Sequence, residues 1–329
     1  IMRLGQLLTD LDGAAAEQTV TGFAIDHRKI APGTIFGAFQ GAAFNGEDFI
    51  DEAIAAGAIA IVARPEAKVS GAVHIADTVP RRLFAQLAAK YFRPFPQHIA
   101  AVTGTNGKTS TAELTRQLWR MAGHHAASIG TLGITTASDQ AKTGLTTPDI
   151  VTFLSNMAGL SREGVTHTIF EASSHGLSQY RNEGVRVAAA GFTNLSQDHL
   201  DYHADFNDYR KAKMKLFSEL LPKGAPAVIN ADSPELEAFE AVAKAAGLKP
   251  FTVGWRGRDL RIAEALPRGT GQDLVIQWGE GPSAGNERKV HLPLIGEFQA
   301  LNALCAAGIA MSLGDDVNKV LDGLAVLKG

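Results

Sequence analysis

The sequence predicts an α/β protein with a small N-terminal α/β domain and a larger domain built on a mostly parallel sheet flanked by helices. Short apolar runs of strand length alternate with runs of helical periodicity, which is typical of this fold class. Glycine makes up 34 of the 329 residues and clusters in the turns between these runs. The length corresponds to about two domains of roughly 150 residues each.

The first hundred residues show the pattern of a small α/β domain. Apolar runs predict strands at 34–39 and 58–63. Helical periodicity predicts a helix after each strand, at 49–56 and 81–92. The stretch that follows, at 93–97, contains two prolines, which cannot continue a helix. We therefore predict an N-terminal domain over 1–95 and a second domain over 96–329.

The second domain begins with a strand at 98–102, which a glycine-rich turn connects to a helix. In that helix Leu114, Leu118 and Met121 are spaced to share one face, and Gly123 ends it. The same patterns predict further strands at 166–170, 188–193, 227–230, 274–278 and 290–292. They also predict further helices at 150–160, 206–221, 234–246, 300–313 and 317–327.

Composition narrows the possible functions. The net charge is −3, so the chain lacks the broad positive charge that a nucleic-acid-coating protein carries. Cys305 is the single cysteine, which cannot form an intrachain disulfide and fits a reducing compartment. No apolar run reaches the roughly 18–20 residues that a membrane span needs. We therefore expect a cytoplasmic protein that binds neither nucleic acid nor membrane.

The turn after the strand at 98–102 has the composition of a phosphate-binding loop. It contains Gly104, Thr105, Asn106, Gly107, Lys108, Thr109 and Ser110. A glycine-rich turn at the start of a helix presents backbone N–H groups to an anion, and the helix dipole adds partial positive charge. Lys108 would reach the β- and γ-phosphates of a nucleotide, and the Thr109 hydroxyl would bind Mg²⁺. The two glycines are closer together than in the common phosphate loop, which has four residues between them.

Five strings in order resemble the Mur ligases, which build the peptide of bacterial cell-wall precursors. The resemblance extends from about residue 20 to the last residue. The strings are T-G-T-N-G-K-T at 103–109, T-T-P at 146–148, E-A-S-S-H-G-L at 171–177, N-L-S-Q-D-H-L-D-Y-H at 194–203 and K-A-K-M-K-L-F at 211–217. The string at 171–177 is typical of the Mur ligases that add the third amino acid.

The resemblance implies an ATP-dependent ligase of peptidoglycan synthesis. In this family a carboxylate of the UDP-N-acetylmuramoyl dipeptide attacks the γ-phosphate of ATP, and the amine of an amino acid then displaces phosphate. The amino acid is meso-diaminopimelate, the commoner choice, or L-lysine. A third domain of the family carries an Asp-Asn-Pro-Arg motif for this amino acid, and the sequence has no such motif. We expect a truncated, monomeric form that completes little or no ligation.

The resemblance also implies two Mg²⁺ ions and a modified lysine. The carboxylate of Glu171, at the end of an apolar strand, suits a magnesium ligand beside the phosphate loop. Lys213 corresponds to a lysine that CO₂ carbamylates in this family, with Lys211 and Lys215 as the alternatives. His199 corresponds to a residue near the second metal ion. The predicted metal ligands are Thr109, Glu171, His199 and Lys213, and the predicted catalytic residues are Lys108, His199 and Lys213.

For the substrates, the resemblance indicates residues in both domains. Those for the UDP-linked dipeptide are Asp26, His27, Arg28, Gly41, Ala42 and Ala43, and then Thr146, Thr147, Ser173, Gln179 and Arg181. His27 stands where the family usually has serine. Asn302 corresponds to a residue at the adenine of ATP, because an amide offers the base edge both a donor and an acceptor.

Other interpretations stay open at the level of the sequence. One is a folylpolyglutamate synthetase or another muramyl ligase, although the folate enzymes usually have G-K-G-S where this chain has G-K-T-S at 107–110. Another is a nucleotide-sugar binding module without catalysis. A zinc site at His199 and His203 is a weaker alternative to magnesium, since the sequence has a single cysteine and no H-E-x-x-H pattern.

Overall fold

The computed structural model describes residues 1–41, 43–131, 133–137, 140–141, 149–194, 214–279 and 286–329. The chain divides into two compact units. Unit 1 consists of Ile1–Phe95, Asp149–Ala158 and Gln179–Val185, and unit 2 consists of Pro96–Pro148, Gly159–Ser178 and Arg186–Gly329. The first division falls after Phe95, where the sequence predicts a domain boundary. Two later segments, Asp149–Ala158 and Gln179–Val185, also group with unit 1, and a single boundary along the chain does not describe them.

Within the described residues, unit 1 is built on a four-stranded parallel sheet. Its elements in chain order are β1 (Met2–Arg3), α1 (Leu4–Leu7), α2 (Gly13–Ala16), β2 (Thr19–Val20), β3 (Gly22–Ala24), β4 (Thr34–Gly37), α3 (Ile50–Ala55), β5 (Ala60–Ala63), β6 (Val73–Ala76) and α4 (Pro80–Phe92). Strands β3, β4, β5 and β6 pair in that order, and β1 pairs with β2 antiparallel. Short 3₁₀ turns at His27–Lys29 and Gly46–Phe49 follow β3 and β4.

The residue pattern explains how unit 1 packs. All four positions of β5 are buried, as expected for a parallel strand that is covered on both faces. Pro80 is the first residue of α4. Proline suits this position because a backbone N–H there would form no hydrogen bond within the helix. Phe84 and Leu87 form the buried face of this helix. The Phe84 ring meets those of Phe23 and Phe39 edge to face, with centroids 5.4 Å apart in each pair, which stabilises the packing of α4.

From residue 96 onward, the described ranges contain a sheet of 11 strands. The elements in chain order are β7 (His98–Thr103), α5 (Lys108–Met121), β8 (Ala126–Gly130), β9 (Gly133–Thr135), β10 (Gln140–Ala141), α6 (Ile150–Arg162), β11 (His167–Glu171), α7 (Ser174–Ser178), β12 (Ala189–Phe192), β13 (Pro226–Asn230), α8 (Leu236–Ala245), β14 (Lys249–Gly254), β15 (Leu260–Arg268), β16 (Gly271–Trp278), β17 (Glu287–Leu292), α9 (Glu297–Ser312) and α10 (Val317–Leu324). The strand order is β10-β9-β8-β11-β7-β12-β13-β14-β15-β16-β17. The run from β8 to β15 is parallel, and antiparallel pairs form both ends.

Small residues let helix α9 approach the parallel strands closely. The helix is buried along most of its length, from Ala303 to Ala310. A Cβ atom at Gly308 would lie 2.8 Å from Val228 Cγ1, and one at Gly191 would lie 2.8 Å from Ile309 Cδ1. Larger side chains at these glycines would force the helix away from the sheet. This contact forms part of the hydrophobic core of unit 2.

Every predicted strand, and every predicted helix apart from the one at 206–221, has a counterpart in the described residues. The first part of that helix, 206–213, lies outside the described residues, and a π-helical turn occupies Leu216–Leu220. Of the three residues predicted to share one face of α5, Leu114 and Leu118 are buried, whereas Met121 is 43% exposed. No helix within the described ranges is both long enough and apolar enough to cross a membrane.

Candidate functional site

The glycine-rich loop of unit 2 lies between β7 and α5, at the carboxyl end of the parallel strands. Gly104 and Gly107 have φ values of 143° and 87°, which residues with side chains rarely adopt. A Cβ atom at Gly104 would lie 1.9 Å from Thr193 Oγ1, and one at Gly107 would lie 2.4 Å from Asn302 Oδ1. Both positions therefore require glycine for conformation and for space.

Residues at the ends of two neighbouring strands hold the loop in shape. Thr193 Oγ1 donates to the Asn106 carbonyl at 2.7 Å, and the Asn106 N–H donates to Asn194 Oδ1 at 2.9 Å. The Thr105 N–H donates to the Asn194 carbonyl at 2.9 Å, and Asn230 Nδ2 donates to the Thr193 carbonyl at 2.8 Å. The sequence did not indicate Thr193, Asn194 and Asn230 as site residues. Their position at the ends of parallel strands is the signal that could have identified them.

The loop leads into a helix end that suits an anion. Helix α5 has 14 residues, and no described side chain caps its N-terminus. Free N–H groups and the helix dipole both favour negative charge at such an end. Lys108 Nζ donates to the Gly104 carbonyl at 2.8 Å. Burial lowers the pKa of the Lys108 amine, and the negative charge of Glu171 opposes this effect.

Glu171 places a buried carboxylate beside the loop. It ends strand β11 and is 3% exposed. Its Oε1 accepts a hydrogen bond from Thr109 Oγ1 at 2.8 Å, and its Oε2 accepts one from the Thr131 N–H at 2.9 Å. A Cβ atom at Gly130 would lie 1.6 Å from Oε2, so the glycine leaves room for the carboxylate. Gly130 and Thr131 are site residues that the sequence did not indicate.

The donor atoms of Glu171 and Thr109 fit magnesium. A carboxylate and a hydroxyl are hard oxygen ligands, and Mg²⁺ completes its shell with water and phosphate oxygens. Within the described residues, no group of three or more His, Cys, Asp or Glu side chains could hold a metal ion. The other predicted ligands, His199 and Lys213, and the zinc alternative with His203 lie outside the described residues.

Asn302 contacts the loop from helix α9. Its Oδ1 lies so close to Gly107 that a Cβ atom on this glycine would be 2.4 Å away. Its Nδ2 donates to Gln299 Oε1 at 3.2 Å. Cys305, one turn further along the helix, is buried, and burial raises the pKa of its thiol to about 12. Ser110 lies in the first turn of α5. The contact of Asn302 with adenine stays a prediction.

Unit 1 contains a cavity of about 500 Å³ at the first group of predicted substrate residues. It is lined by Ile25, Asp26, His27, Arg28, Lys29, Phe44 and Asp149. The Arg28 guanidinium and backbone N–H both donate hydrogen bonds to the Asp26 carboxylate. The bond from the guanidinium is the main reason why the pKa of Asp26 is lowered to about 2. The His27 ring stacks on Phe49 with centroids 4.0 Å apart, and Phe49 stacks on Phe44 at 5.0 Å. We call these three side chains the ring stack.

Another cavity of unit 1, of about 250 Å³, contains further predicted residues. Its wall includes Gly41, Ala43, Gln179 and Arg181, together with Arg81, which the sequence did not indicate. Arg181 Nη2 donates to Gln179 Oε1 at 2.9 Å. Of the remaining predicted substrate residues, Ser173 lies in unit 2, where its Oγ accepts from the Gly176 N–H at 3.0 Å. Ala42, Thr146 and Thr147 lie outside the described residues.

Phosphate-loop proteins share a parallel α/β sheet in which a glycine-rich turn, followed by lysine, leads from a strand into a helix. Unit 2 has this phosphate-loop arrangement. More specifically, the chain belongs to the Mur ligase family. Residues 102–310 match the Mur ligase middle domain, and residues 19–104 match the domain described as the Mur ligase family catalytic domain.

Curated relatives and solved structures agree with this family. A UDP-N-acetylmuramoyl-L-alanyl-D-glutamate--2,6-diaminopimelate ligase from Zymomonas mobilis is 50% identical over 309 residues, which are 94% of this chain and 63% of that enzyme. The enzyme of the same name from Bradyrhizobium diazoefficiens is 46% identical over 324 residues, with coverages of 97% and 66%. This chain therefore spans slightly less than two thirds of the length of these relatives.

The similarity of fold extends beyond these close relatives. A solved structure with the same ligase name superposes with a TM-score of 0.88 at 28% identity and covers 100% of this chain and 67% of that chain. A structure of MurF from Acinetobacter baumannii has a TM-score of 0.64 at 19% identity and covers 99% of this chain and 67% of that one. At that identity the second comparison shows a common fold.

Proposed function

We propose that this chain is the nucleotide-binding part of an ATP-dependent ligase. The ligase joins meso-2,6-diaminopimelate to UDP-N-acetylmuramoyl-L-alanyl-D-glutamate in peptidoglycan synthesis. The names and identities of the two curated relatives support this activity and substrate. One observation carries the proposal. Lys108, Thr109 and Glu171 lie together at a glycine loop, and no described side chain caps the helix that follows it.

The proposed reaction has two steps. A carboxylate oxygen of the dipeptide attacks the γ-phosphorus of ATP, the bond from this phosphorus to the bridging oxygen breaks, and ADP leaves. The amine nitrogen of the amino acid then attacks the acyl carbon, phosphate leaves with the bonding electrons, and the nitrogen loses a proton. Both reactants of the first step are anions, so their repulsion has to be offset.

Residues of unit 2 offset this repulsion. Backbone N–H groups at the start of α5 bind phosphate oxygens, and the Lys108 ammonium adds positive charge at the β- and γ-phosphates. Glu171 and Thr109 would hold a Mg²⁺ ion, which neutralises phosphate charge when it is bound. We also propose a second Mg²⁺ ion, which His199 and a carbamate on Lys213 would hold. We place the protein in the cytoplasm, because ATP and a UDP-linked precursor are its proposed substrates, and we propose that it is a monomer.

Calorimetric titration with Mg·ATP tests the nucleotide site. We expect Lys108→Met to weaken binding at least tenfold, or about 1.4 kcal/mol, because it removes a cation from the phosphates. Lys249→Met is the matched control, since Lys249 is exposed at the amino end of β14, the opposite end of the sheet from the loop. Equal affinity in all three proteins would contradict the proposed ATP site.

A separate titration tests the substrate class. We expect UDP-N-acetylmuramoyl-L-alanyl-D-glutamate to bind and a folate to show no binding. Formation of an acyl phosphate that needs both ATP and the dipeptide would support the ligase chemistry. Binding of the dipeptide without any ATP-dependent acyl phosphate would instead support a nucleotide-sugar binding module.

A further inference from the structure

Asn230, at the carboxyl end of β13, has a side-chain amide that is fixed at both of its polar atoms. The residue is 9% exposed. Its Nδ2 donates to the Thr193 carbonyl at 2.8 Å, and its Oδ1 accepts from the Asp232 N–H at 2.9 Å. An amide turned the other way would place its NH₂ against an N–H donor and its oxygen against a carbonyl. The two hydrogen bonds therefore specify that Asn230 directs a donor at Thr193.

Asp232 connects this amide to the next strand of the sheet. Its Oδ2 accepts from the Trp255 N–H and its Oδ1 from the Arg256 N–H, both at 2.9 Å. These two N–H groups belong to the turn that follows β14. A Cβ atom at Gly254 would lie 2.6 Å from Asp232 Oδ2, so the glycine leaves room for the carboxylate. The Asp232 backbone, which supplies the donor to Asn230, is therefore held in place by the turn after β14.

Thr193 connects Asn230 to the glycine loop. Strands β12 and β13 are neighbours, and Thr193 follows β12. While Asn230 holds the Thr193 carbonyl, Thr193 Oγ1 donates to the Asn106 carbonyl at 2.7 Å. Thr193 is 4% exposed, and its Oγ1 lies where a side chain at Gly104 would have to be. A shift of Thr193 would therefore disturb the loop at Gly104 and at Asn106.

The first part of the loop is anchored to β12 through its own N–H groups. The N–H groups of Thr105 and Asn106 donate to the carbonyl and to Oδ1 of Asn194, both at 2.9 Å. The first N–H groups of α5, by contrast, have no acceptor within the helix, and no described side chain caps them. A phosphate would therefore meet the N–H groups that follow Gly107, and their position depends on the anchored residues before it.

We propose that Asn230 is a positioning residue of the nucleotide site. It holds Thr193, and through Thr193 the glycine loop, in the orientation that binds the phosphates of ATP. The inference rests on the proposed function, in which ATP binds at this loop. It adds a residue from β13, two strands away from β7, that acts on the loop through another side chain.

Asn230→Asp removes the donor and keeps the shape of the side chain. At pH 8 the new carboxylate can accept from the Asp232 N–H but has no proton for the Thr193 carbonyl. In calorimetric titration of the whole chain, we expect Mg·ATP to bind at least threefold more weakly than to the wild type, as the loss of one neutral hydrogen bond produces. Asn318→Asp makes the same change at an exposed position of α10 and should bind Mg·ATP as the wild type does.

The pH dependence of Asn230→Asp separates positioning from a general loss of structure. A protonated carboxyl regains an O–H donor, and the Thr193 carbonyl beside it favours this protonated form. We expect the ratio of wild-type to variant affinity to fall toward one between pH 8 and pH 5.5, a comparison in which the titration of ATP itself cancels. For Asn318→Asp the ratio should be one at both pH values. If Asn230→Asp were weakened equally at both pH values, or not weakened at all, Asn230 would not act through its donor and the inference would be wrong.

Thr193→Val and Thr193→Ser provide a second test, which also covers the case in which Asn230→Asp does not fold. Valine keeps the shape of threonine but lacks the hydroxyl that donates to the Asn106 carbonyl, whereas serine keeps this hydroxyl. We expect Thr193→Val to bind Mg·ATP at least threefold more weakly than Thr193→Ser does. Equal affinities of these two variants would show that Thr193 does not position the loop, and the inference would fail while the proposed ATP site stood. If the wild type bound no Mg·ATP, the proposed function would fail and the inference with it.

Discussion

Glu171→Gln removes a charge from a buried position and keeps the shape of the side chain. The carboxylate accepts from Thr109 Oγ1 at 2.8 Å, from the Thr131 N–H at 2.9 Å and from Thr131 Oγ1 at 3.4 Å. The amide oxygen can still accept from the Thr131 N–H, and the amide NH₂ can donate to the Thr109 hydroxyl. Hydrogen bonds to a charged group contribute about 1.5–3 kcal/mol and neutral ones about 0.5–1.5 kcal/mol, so the expected loss of folding stability is about 1 kcal/mol.

The expected loss of metal-dependent nucleotide binding is larger. The variant replaces an anionic oxygen next to Thr109 with an NH₂ group, which cannot bind a cation. We expect Mg·ATP affinity to fall at least tenfold, and ATP in EDTA to bind as before or more tightly because a negative charge is gone. The melting temperature should fall by roughly 2–4 °C. Calorimetry and thermal unfolding measure these effects, with Glu264→Gln, an exposed carboxylate on β15, as the control.

The two measurements separate a metal ligand from a structural acceptor. If Glu171→Gln bound Mg·ATP as tightly as the wild type does, the carboxylate would only orient Thr109 and Thr131 and would not bind magnesium. If ATP in EDTA lost affinity as much as Mg·ATP did, the variant would have disturbed the loop itself. Either result would refute the assignment of Glu171 to magnesium.

Three further predictions concern buried groups of unit 2. Gly130→Ala places a methyl group against the Glu171 carboxylate, and we expect urea unfolding to show a loss of about 1–3 kcal/mol together with weaker Mg·ATP binding. Burial, and then two neighbouring histidines, lower the pKa of His167 to about 3. Below pH 6.5 the unfolded chain therefore takes up a proton that the folded chain does not, and this residue should reduce stability by about 2 kcal/mol between pH 7 and pH 5. His167→Phe should remove that part of the pH dependence, and His125→Gln, at an exposed position, should not. A thiol reagent should label Cys305 after unfolding and not before, and rapid labelling of the folded chain would contradict its burial.

Local signals made the phosphate loop and most of the helices predictable. The strand at 98–102, the glycine turn and the helix that follows each have a pattern that a short window of sequence contains. Local patterns also indicated that Glu171 ends a strand, whereas its place beside the loop was an implication of the family resemblance. The loop, the helices and the end of this strand depend on neighbours along the chain.

The elements that were missed depend on neighbours in space. Strand β8, with the sequence A-A-S-I-G, has few residues of high strand propensity, and it is a strand because β11 and β9 pair with its two edges. Pro250 and Pro267 interrupt β14 and β15, a pattern that argues against central strands. Gly130 and Thr131 belong to the site through a contact with Glu171, which is about 40 residues away in the sequence. No spacing rule connects residues at that separation.

Net charge and local charge lead to different conclusions about this protein. The overall charge of −3 argues against a surface that attracts polyanions in general. Yet each unit contains a partly buried cation whose pKa burial lowers, Lys108 in unit 2 and Arg81 in unit 1. A bound phosphate would restore the favourable interaction that burial removes, so both cations gain more from an anion than an exposed lysine does. Local charge and burial, and not the net charge, therefore indicate where phosphate binding is to be tested.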